Sequence, residues 1–212
     1  MSAFDATEPA TPAKVWAEMM RGNERFIAGT PQHPRQDVDR RHQLAERQTP
    51  RAALFGCSDS RLAAEIIFDK GLGDLFVVRN AGQVISESVV GSLEYAVSVL
   101  GVKLIVVLGH DACGAVQAAV DSVDPSVASL PPHIANLIDK IVPSVRRVSQ
   151  ESDGPIDPSV VGRYHLEDTV AELLETSELI SEAIAEGRLA IVGANYRLSE
   201  GRATPDLVVG NI

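Results

Sequence analysis

The chain has 212 residues, of which 45% are hydrophobic and 23% are charged, as is ordinary for a globular protein with one substantial core. Its formal net charge of -10 argues against a general nucleic-acid-binding protein. No apolar run approaches the roughly 20 residues needed to span a bilayer, and the N-terminus does not resemble a secretory signal. We therefore expect a cytoplasmic protein that binds neither nucleic acid nor membrane.

A helix is predicted near the start of the chain, after a flexible segment over residues 1–10. Thr11 offers a capping hydroxyl and Pro12 suits the first helical turn, while Gly29 is a plausible stop. Between them lies a rough apolar stripe at helical spacing, formed by Val15, Met19, Met20, Phe26 and Ile27. A helix of this kind must bury its stripe against the rest of the chain or against a second subunit.

Strand and helix signals alternate through the rest of the chain. Strands are predicted over residues 52–56, 74–79, 103–109 and 189–193, and their near-continuous apolar character suits parallel strands buried on both faces. Helices are predicted after Pro34 and over residues 88–100, 132–150 (interrupted near Pro143) and 160–186. The tail should form a turn at 199–201 and an added edge strand. The sequence thus predicts a single α/β domain over residues 1–212, with a mostly parallel central sheet flanked by helices.

Candidate metal ligands follow two of these predicted strands. Cys57 comes directly after the first strand, and His110 and Cys113 come directly after the third. Sites in open α/β sheets form at the carboxyl ends of strands, so we expect the three side chains to converge. Two thiolates and an imidazole are a good partial ligand set for Zn²⁺ that leaves a fourth position for water. The pattern predicts a zinc enzyme that activates water.

Asp59 and Arg61 lie just beyond Cys57 and admit three interpretations. They could form an ordinary surface ion pair. Asp59 could accept a hydrogen bond or a proton from metal-bound water while Arg61 fixes its orientation, or Asp59 could itself bind zinc. A Cys-x5-Arg phosphatase loop is excluded, because only three residues separate Cys57 from Arg61. The remaining histidines lack metal-like spacing and are predicted to be surface or capping residues: His33, His42, His133 and His165.

Taken together, these motifs resemble the β-class carbonic anhydrases. The resemblance extends from residues 22–26 to the C-terminal strand and is most specific over residues 57–61, 76–82, 93–96 and 109–114. It implies zinc bound by Cys57, His110 and Cys113, with Asp59 and Arg61 as a catalytic dyad. The implied reaction is the reversible hydration of carbon dioxide to bicarbonate and a proton through a zinc-bound hydroxide.

The resemblance also implies a homodimer, often paired into a homotetramer, with the active site at the dimer interface. Residues 11–45 would then form a helical dimerisation arm that wraps the partner subunit. In the plant-like subtype of the family the pocket is open, and a glutamine, a phenylalanine and a tyrosine help to bind substrate. Gln48, Phe76 and Tyr95 match those positions, and Ala81 is assigned to the same pocket.

A second subtype closes reversibly: its aspartate coordinates zinc, and an inhibitory bicarbonate binds near a tryptophan, an arginine and a tyrosine. Arg79 and Tyr196 fit two of these positions, but Leu54 occupies the tryptophan position. This departure favours an open or switchable site. Two other functions remain open at this stage: hydrolysis of carbon disulfide or carbonyl sulfide on the same fold, and a non-enzymatic subunit with a permanently closed zinc site.

Overall fold

A five-stranded sheet in the order β2-β1-β3-β4-β5 forms the centre of the molecule, in a computed structural model that describes residues 10–151 and 154–212. The strands are β1 Ala52–Cys57, β2 Leu75–Asn80, β3 Leu104–His110, β4 Ala190–Arg197 and β5 Arg202–Val209. Strands β1 to β4 pair in parallel, whereas β5 is antiparallel to β4. The predicted α/β fold with a mostly parallel sheet is confirmed; of the predicted flexible segment, residues 1–9 lie outside the described part.

Apolar side chains cover both faces of the sheet, because successive residues of a strand point to opposite sides. Every residue of β1 and β3 is buried. Phe55 and Val107 pack on one face, against Leu93, Leu166 and Leu173 of the helices. Leu54 and Val106 contribute to the other face, together with Val15, Met19 and Phe68. Burial on two sides explains why these strands are continuously apolar in sequence.

The helices are α1 Pro12–Ile27, α2 Val38–Leu44, α3 Ala64–Ile67, α4 Glu87–Ser98, α5 Gly114–Ser122, α6 Pro132–Ile138, α7 Val142–Glu151, α8 Pro158–Thr176 and α9 Glu178–Ala185. The predicted interruption near Pro143 is confirmed, since α6 ends at Ile138 and α7 begins at Val142. The single helix predicted over 160–186 is wrong, because Ser177 divides it into α8 and α9. Ser177 is extended, and its hydroxyl accepts a hydrogen bond from the Ile180 amide at 3.2 Å, which starts a new helix.

Helix α1 begins and ends as the sequence predicts, with the Thr11 hydroxyl accepting a hydrogen bond from the Lys14 amide and Gly29 at a φ of 68°. Val15 and Met19 of its apolar stripe, together with Trp16, are buried against this chain's own α3 and sheet, whereas Met20, Phe26 and Ile27 are half-buried. The buried part of the stripe is thus covered by this chain itself. The assignment of residues 11–45 as a dimerisation arm stays a prediction.

The predicted C-terminal turn and edge strand are confirmed, since the Gly201 amide donates to the Arg197 carbonyl at 2.9 Å and β5 follows. Buried Asn23 fastens this turn to α1. Its Nδ2 donates to the carbonyl oxygens of Ile67 and Gly201, and its Oδ1 accepts from the Ala203 amide. No helix in the described part of the chain is long and apolar enough to cross a membrane.

Candidate metal centre

Cys57, His110 and Cys113 converge at the carboxyl ends of β1 and β3. Cys57 ends β1, His110 ends β3, and Cys113 immediately precedes α5. All three side chains are buried, and their possible ligand atoms lie within 4.8 Å of one another. Within residues 10–151 and 154–212, no other group of three or more such side chains comes together in this way. The predicted convergence is confirmed.

The imidazole of His110 is oriented by its own backbone neighbour. Nδ1 lies 2.8 Å from the Asp111 carbonyl oxygen, which can only accept, so Nδ1 carries the proton. Nε2 is then left with a lone pair, and it is buried with no hydrogen-bond partner among the described residues. A buried acceptor without a partner is costly, and a metal ion would satisfy it.

The two sulfurs lie among hydrogen-bond donors that favour negative charge. The Gly82 amide lies 3.4 Å from the Cys57 sulfur, and Cys113 is at the N-terminus of α5, where free amides favour a thiolate. A hydrogen bond from Cys113, with smaller contributions from backbone amides, lowers the pKa of Cys57 to about 4. The same hydrogen bond, together with burial, raises the pKa of Cys113. This donor set of two sulfurs and one imidazole nitrogen fits Zn²⁺.

The Asp59 carboxylate is held by Arg61 through two parallel hydrogen bonds, Nε to Oδ1 at 2.9 Å and Nη2 to Oδ2 at 2.6 Å. These bonds hold the pKa of Asp59 well below its usual range. Arg61 Nη2 also donates to the Ala112 carbonyl oxygen at 3.1 Å, so the pair joins the two loops that carry the metal ligands. It is therefore more than a solvated surface pair, and Asp59 lies outside the metal-ligand group.

Arg79 fixes the backbone on which Cys57 and Asp59 lie. Its Nε donates to the Cys57 carbonyl oxygen at 2.8 Å and its Nη2 to the Asp59 carbonyl oxygen at 2.5 Å. Tyr196 is buried beside the site, paired in register with His110. Leu54 is a buried core residue of β1 and offers no polar group. The match of Arg79 and Tyr196 to the bicarbonate pocket of the closing subtype stays a prediction.

The predicted substrate-pocket residues do not all lie near this metal group. Ala81 is exposed and lies in the short turn Ala81–Gln83 beside Cys57. Phe76 instead pairs with Ala53, four residues before the pair of Cys57 and Asn80, which is about 13 Å at the usual rise per residue. The Tyr95 ring lies 6.2 Å from that of Phe76, and exposed Gln48 precedes β1. The chain therefore places Gln48, Phe76 and Tyr95 away from its own metal group.

A cleft of about 780 Å³ opens beside His110 and Cys113. Its walls include the polar side chains of Arg163, Arg197 and Asp206, which come from α8, β4 and β5. A cleft of this size can hold water and small molecules next to His110 and Cys113.

One histidine was assigned wrongly from the sequence. His33, His42 and His133 are exposed, in line with the prediction of surface residues, but His165 is only 3% exposed. Its Nε2 lies 2.6 Å from the carbonyl oxygen of Gly82, the residue whose amide contacts Cys57. The signal for its burial was present, because His165 follows the apolar Val161 by four residues and so shares its face of α8.

Comparison with known proteins gives one consistent result. A family model described as carbonic anhydrase matches residues 52–203. Carbonic anhydrase 2 of Mycobacterium tuberculosis is 50% identical over 202 residues, covering 95% of this chain and 96% of the relative. The carbonic anhydrase of Mycolicibacterium smegmatis is 44% identical over 203 residues, covering 96% and 97%.

Solved structures agree with this result. One of two tetrameric β-carbonic anhydrases from the ascomycete Sordaria macrospora has a TM-score of 0.71 and 27% identity, covering 80% of this chain and 87% of that chain. The β-carbonic anhydrase CcaA has a TM-score of 0.68 and 25% identity, covering 94% and 93%.

The fold and the site define a zinc enzyme of the α/β class, with its metal ligands at the carboxyl ends of parallel strands. The chain belongs to the carbonic anhydrase family, and within it to the β class. The resemblance seen in the sequence is confirmed. The predicted zinc cofactor and the predicted reaction, the reversible hydration of carbon dioxide, are confirmed as well.

Proposed function

We propose that this chain hydrates carbon dioxide at a zinc ion bound by Cys57, His110 and Cys113, with Asp59 and Arg61 as the catalytic dyad. The observation that carries the proposal is the meeting of two buried sulfurs and the unpartnered Nε2 of His110 within 4.8 Å. When bound, zinc supplies the Lewis acidity that makes hydroxide available from water near neutral pH.

The dyad supplies an oriented acceptor beside the metal position. Arg61 keeps the Asp59 carboxylate ionised and fixes both of its oxygens, so Asp59 is ready to accept a hydrogen bond from the reacting water and orient it. Its lowered pKa makes it a weak proton acceptor. A purely structural zinc site has four protein ligands and no use for such a pair. The engagement of Asp59 by Arg61 therefore favours an enzyme with an open site over a permanently closed, non-enzymatic subunit.

We further propose a homodimer in which each subunit supplies Gln48, Phe76 and Tyr95 to the pocket of its partner. Two facts support this: these residues lie away from the metal group of their own chain, and Tyr95 is 45% exposed. Strand β2 forms one edge of the sheet, where a second chain can approach. Phe76 and Tyr95 would supply an apolar wall suited to CO2, and Gln48 a hydrogen-bond donor for a substrate oxygen.

Ala81 would complete that pocket from the subunit that binds the metal. The Sordaria macrospora enzymes are tetrameric, which supports a further pairing of dimers. We also place the protein in the cytoplasm, because both cysteines are unbonded thiols, and a reducing compartment keeps thiolate ligands available.

The proposal is tested by stopped-flow CO2 hydration from about pH 6.5 to 9 on protein of known zinc content. Two thiolates place more negative charge on the metal than three imidazoles would, so turnover should rise on the alkaline side of neutral. We expect close to one zinc per chain. Full zinc occupancy without activity at any pH would favour the non-enzymatic subunit. Turnover of carbonyl sulfide or carbon disulfide without CO2 hydration would favour the related hydrolases.

A further inference from the structure

The turn that follows β2 is a closed hydrogen-bonded unit beside the metal group. The side chain of Asn80 spans it, with Nδ2 donating to the Val84 carbonyl oxygen at 2.7 Å and Oδ1 accepting from the Val84 amide at 2.9 Å. Inside the turn, the Gly82 amide donates to the Cys57 sulfur at 3.4 Å. The orientation of this one residue therefore decides whether the Cys57 sulfur receives the hydrogen bond from the Gly82 amide.

The turn is strained and needs support from its surroundings. Gly82 has a φ of 77°, and Gln83 has a φ of 42° although it carries a side chain. Such a conformation persists only where neighbouring structure holds it. Helix α5 and the connection between α6 and α7 support one side, because a Cβ at Gly82 would lie 2.9 Å from the Ala115 Cβ and 3.0 Å from the Ile141 Cδ1. The support on the carbonyl side comes from α8.

His165 provides that second support. Its Nε2 lies 2.6 Å from the Gly82 carbonyl oxygen, which can only accept, so Nε2 is the donor. Burial lowers the pKa of His165, which keeps the imidazole neutral with a defined tautomer. One turn further along α8, the Thr169 hydroxyl donates to the His165 carbonyl oxygen at 2.6 Å. A rigid helix thus presents a fixed donor to the strained turn.

We propose that His165 is a positioning residue of the metal centre, which holds Gly82 so that its amide donates to the Cys57 sulfur. The proposal rests on the metal site described above. Without the donor at Nε2, the strained turn relaxes and the Gly82 amide leaves the sulfur. Removing a group that helps to orient a metal ligand typically weakens metal binding by about 10- to 100-fold.

The test compares three variants of the full chain. His165→Phe keeps an aromatic ring and removes the donor, whereas His165→Gln keeps an N–H group. Leu166→Ala is the matched control, because Leu166 is the next residue on α8, is fully buried, and packs into the core cluster on the other side. It should lower stability without touching the turn. Zinc affinity is measured by competition with a chromophoric chelator, and stability by thermal unfolding.

We expect His165→Phe to weaken zinc binding by about 10- to 100-fold, with His165→Gln closer to the wild type than to His165→Phe. Leu166→Ala should unfold at a lower temperature but bind zinc like the wild type. In cobalt-substituted protein, the thiolate-to-metal absorption band should shift in His165→Phe and stay in place in Leu166→Ala.

Wild-type zinc affinity in His165→Phe would overturn the proposal, as would equal losses in His165→Phe and Leu166→Ala. Should His165→Phe fail to fold, His165→Asn replaces it, since its shorter side chain does not reach the Gly82 carbonyl, and the same comparisons decide. A wild-type protein that does not bind zinc would instead refute the proposed function, so the two failures are distinguishable.

Discussion

Asp59 and Arg61 illustrate how a pair of charged residues takes on a role beyond stability. Arg188 and Glu186 form an ion pair at the same two-residue spacing, with both side chains more than half exposed, and such pairs are worth about 0–1 kcal/mol. Arg61 differs because it also donates a hydrogen bond to the carbonyl oxygen of Ala112, which lies between the metal ligands His110 and Cys113. The Asp59 carboxylate is therefore held at a fixed place beside the metal group.

Replacing Asp59 by alanine tests this role. Because Asp59 is bound by Arg61 and lies outside the ligand group, Asp59→Ala should retain zinc. Loss of the carboxylate that orients the reacting water should lower kcat/KM by about 10²-fold. Zinc content and CO2 hydration are measured on the same samples, and Glu186→Ala serves as the control that should leave both unchanged. Loss of zinc together with activity would instead identify Asp59 as a ligand.

The metal ligands could be predicted from the sequence because their chemistry is local: each lies at the end of a continuously apolar strand. The residues that hold those ligands in position could not be predicted from the sequence. The contact between His165 and Gly82 joins residues 83 positions apart, and neither residue type indicates a partner at that distance. Gln83 likewise has a positive φ. A glutamine in the sequence does not predict this conformation, because tertiary packing imposes it.

At the scale of elements, the position of α1 depends on one close approach. A Cβ at buried Gly22 would lie 1.8 Å from the Phe68 carbonyl oxygen. Backbone atoms of α1 and the end of α3 are therefore in contact, with no room for a side chain. Asn23, the next residue, adds hydrogen bonds to Ile67 and to the turn before β5. Helix α1 thus fastens both α3 and the C-terminal hairpin.

Alanine substitutions at two helical glycines test this contact. Gly22→Ala should destabilise the protein by about 1–3 kcal/mol, because the helix must move away from Phe68. Gly91 of α4 is exposed, and a Cβ there meets nothing within 4 Å, so Gly91→Ala should stabilise by about 0.4–1 kcal/mol. Urea unfolding measures both. Equal effects at the two positions would show that α1 does not lie against α3.

The alternation of strands and helices followed from apolar periodicity, whereas the strand order and one helix boundary did not. Residues 160–186 keep a helical pattern throughout, so periodicity alone predicts one helix. Ser177 breaks it by capping α9, and its hydroxyl also donates to Glu94 of α4 at 2.7 Å. A serine can lie within a helix or cap one. Here the contact between Ser177 and Glu94 of α4 favours the cap.

At the scale of the whole molecule, the two halves of the proposed active site lie at opposite ends of the parallel sheet. The metal group is at the carboxyl ends of β1 and β3, and Phe76 is near the amino end of β2. Motifs in the sequence identify both halves but cannot show whether they meet within one chain. Within the single chain, Phe76 lies far from the metal group, and the proposed homodimer is the arrangement that would join the two halves.

A heterodimer of two defective subunits tests this arrangement. Cys57→Ser removes a metal ligand, and Gln48→Ala removes an exposed pocket residue that no core contact requires. If Gln48 contributes to the active site of the partner subunit, the heterodimer has one complete site. The Gln48→Ala subunit supplies the metal ligands of that site, and the Cys57→Ser subunit supplies its Gln48. The two chains are co-expressed with different tags, purified through both, and assayed for CO2 hydration per bound zinc.

We expect the heterodimer to match the wild type in activity per zinc, because its one metal site is complete. The Gln48→Ala homodimer should fall well below it, since every site there lacks the glutamine, and the Cys57→Ser homodimer should bind little zinc. A heterodimer no more active per zinc than the Gln48→Ala homodimer would show that Gln48 acts in its own subunit or not at all. Recovery in the heterodimer would place the active site between the chains, because neither parent holds a complete pocket.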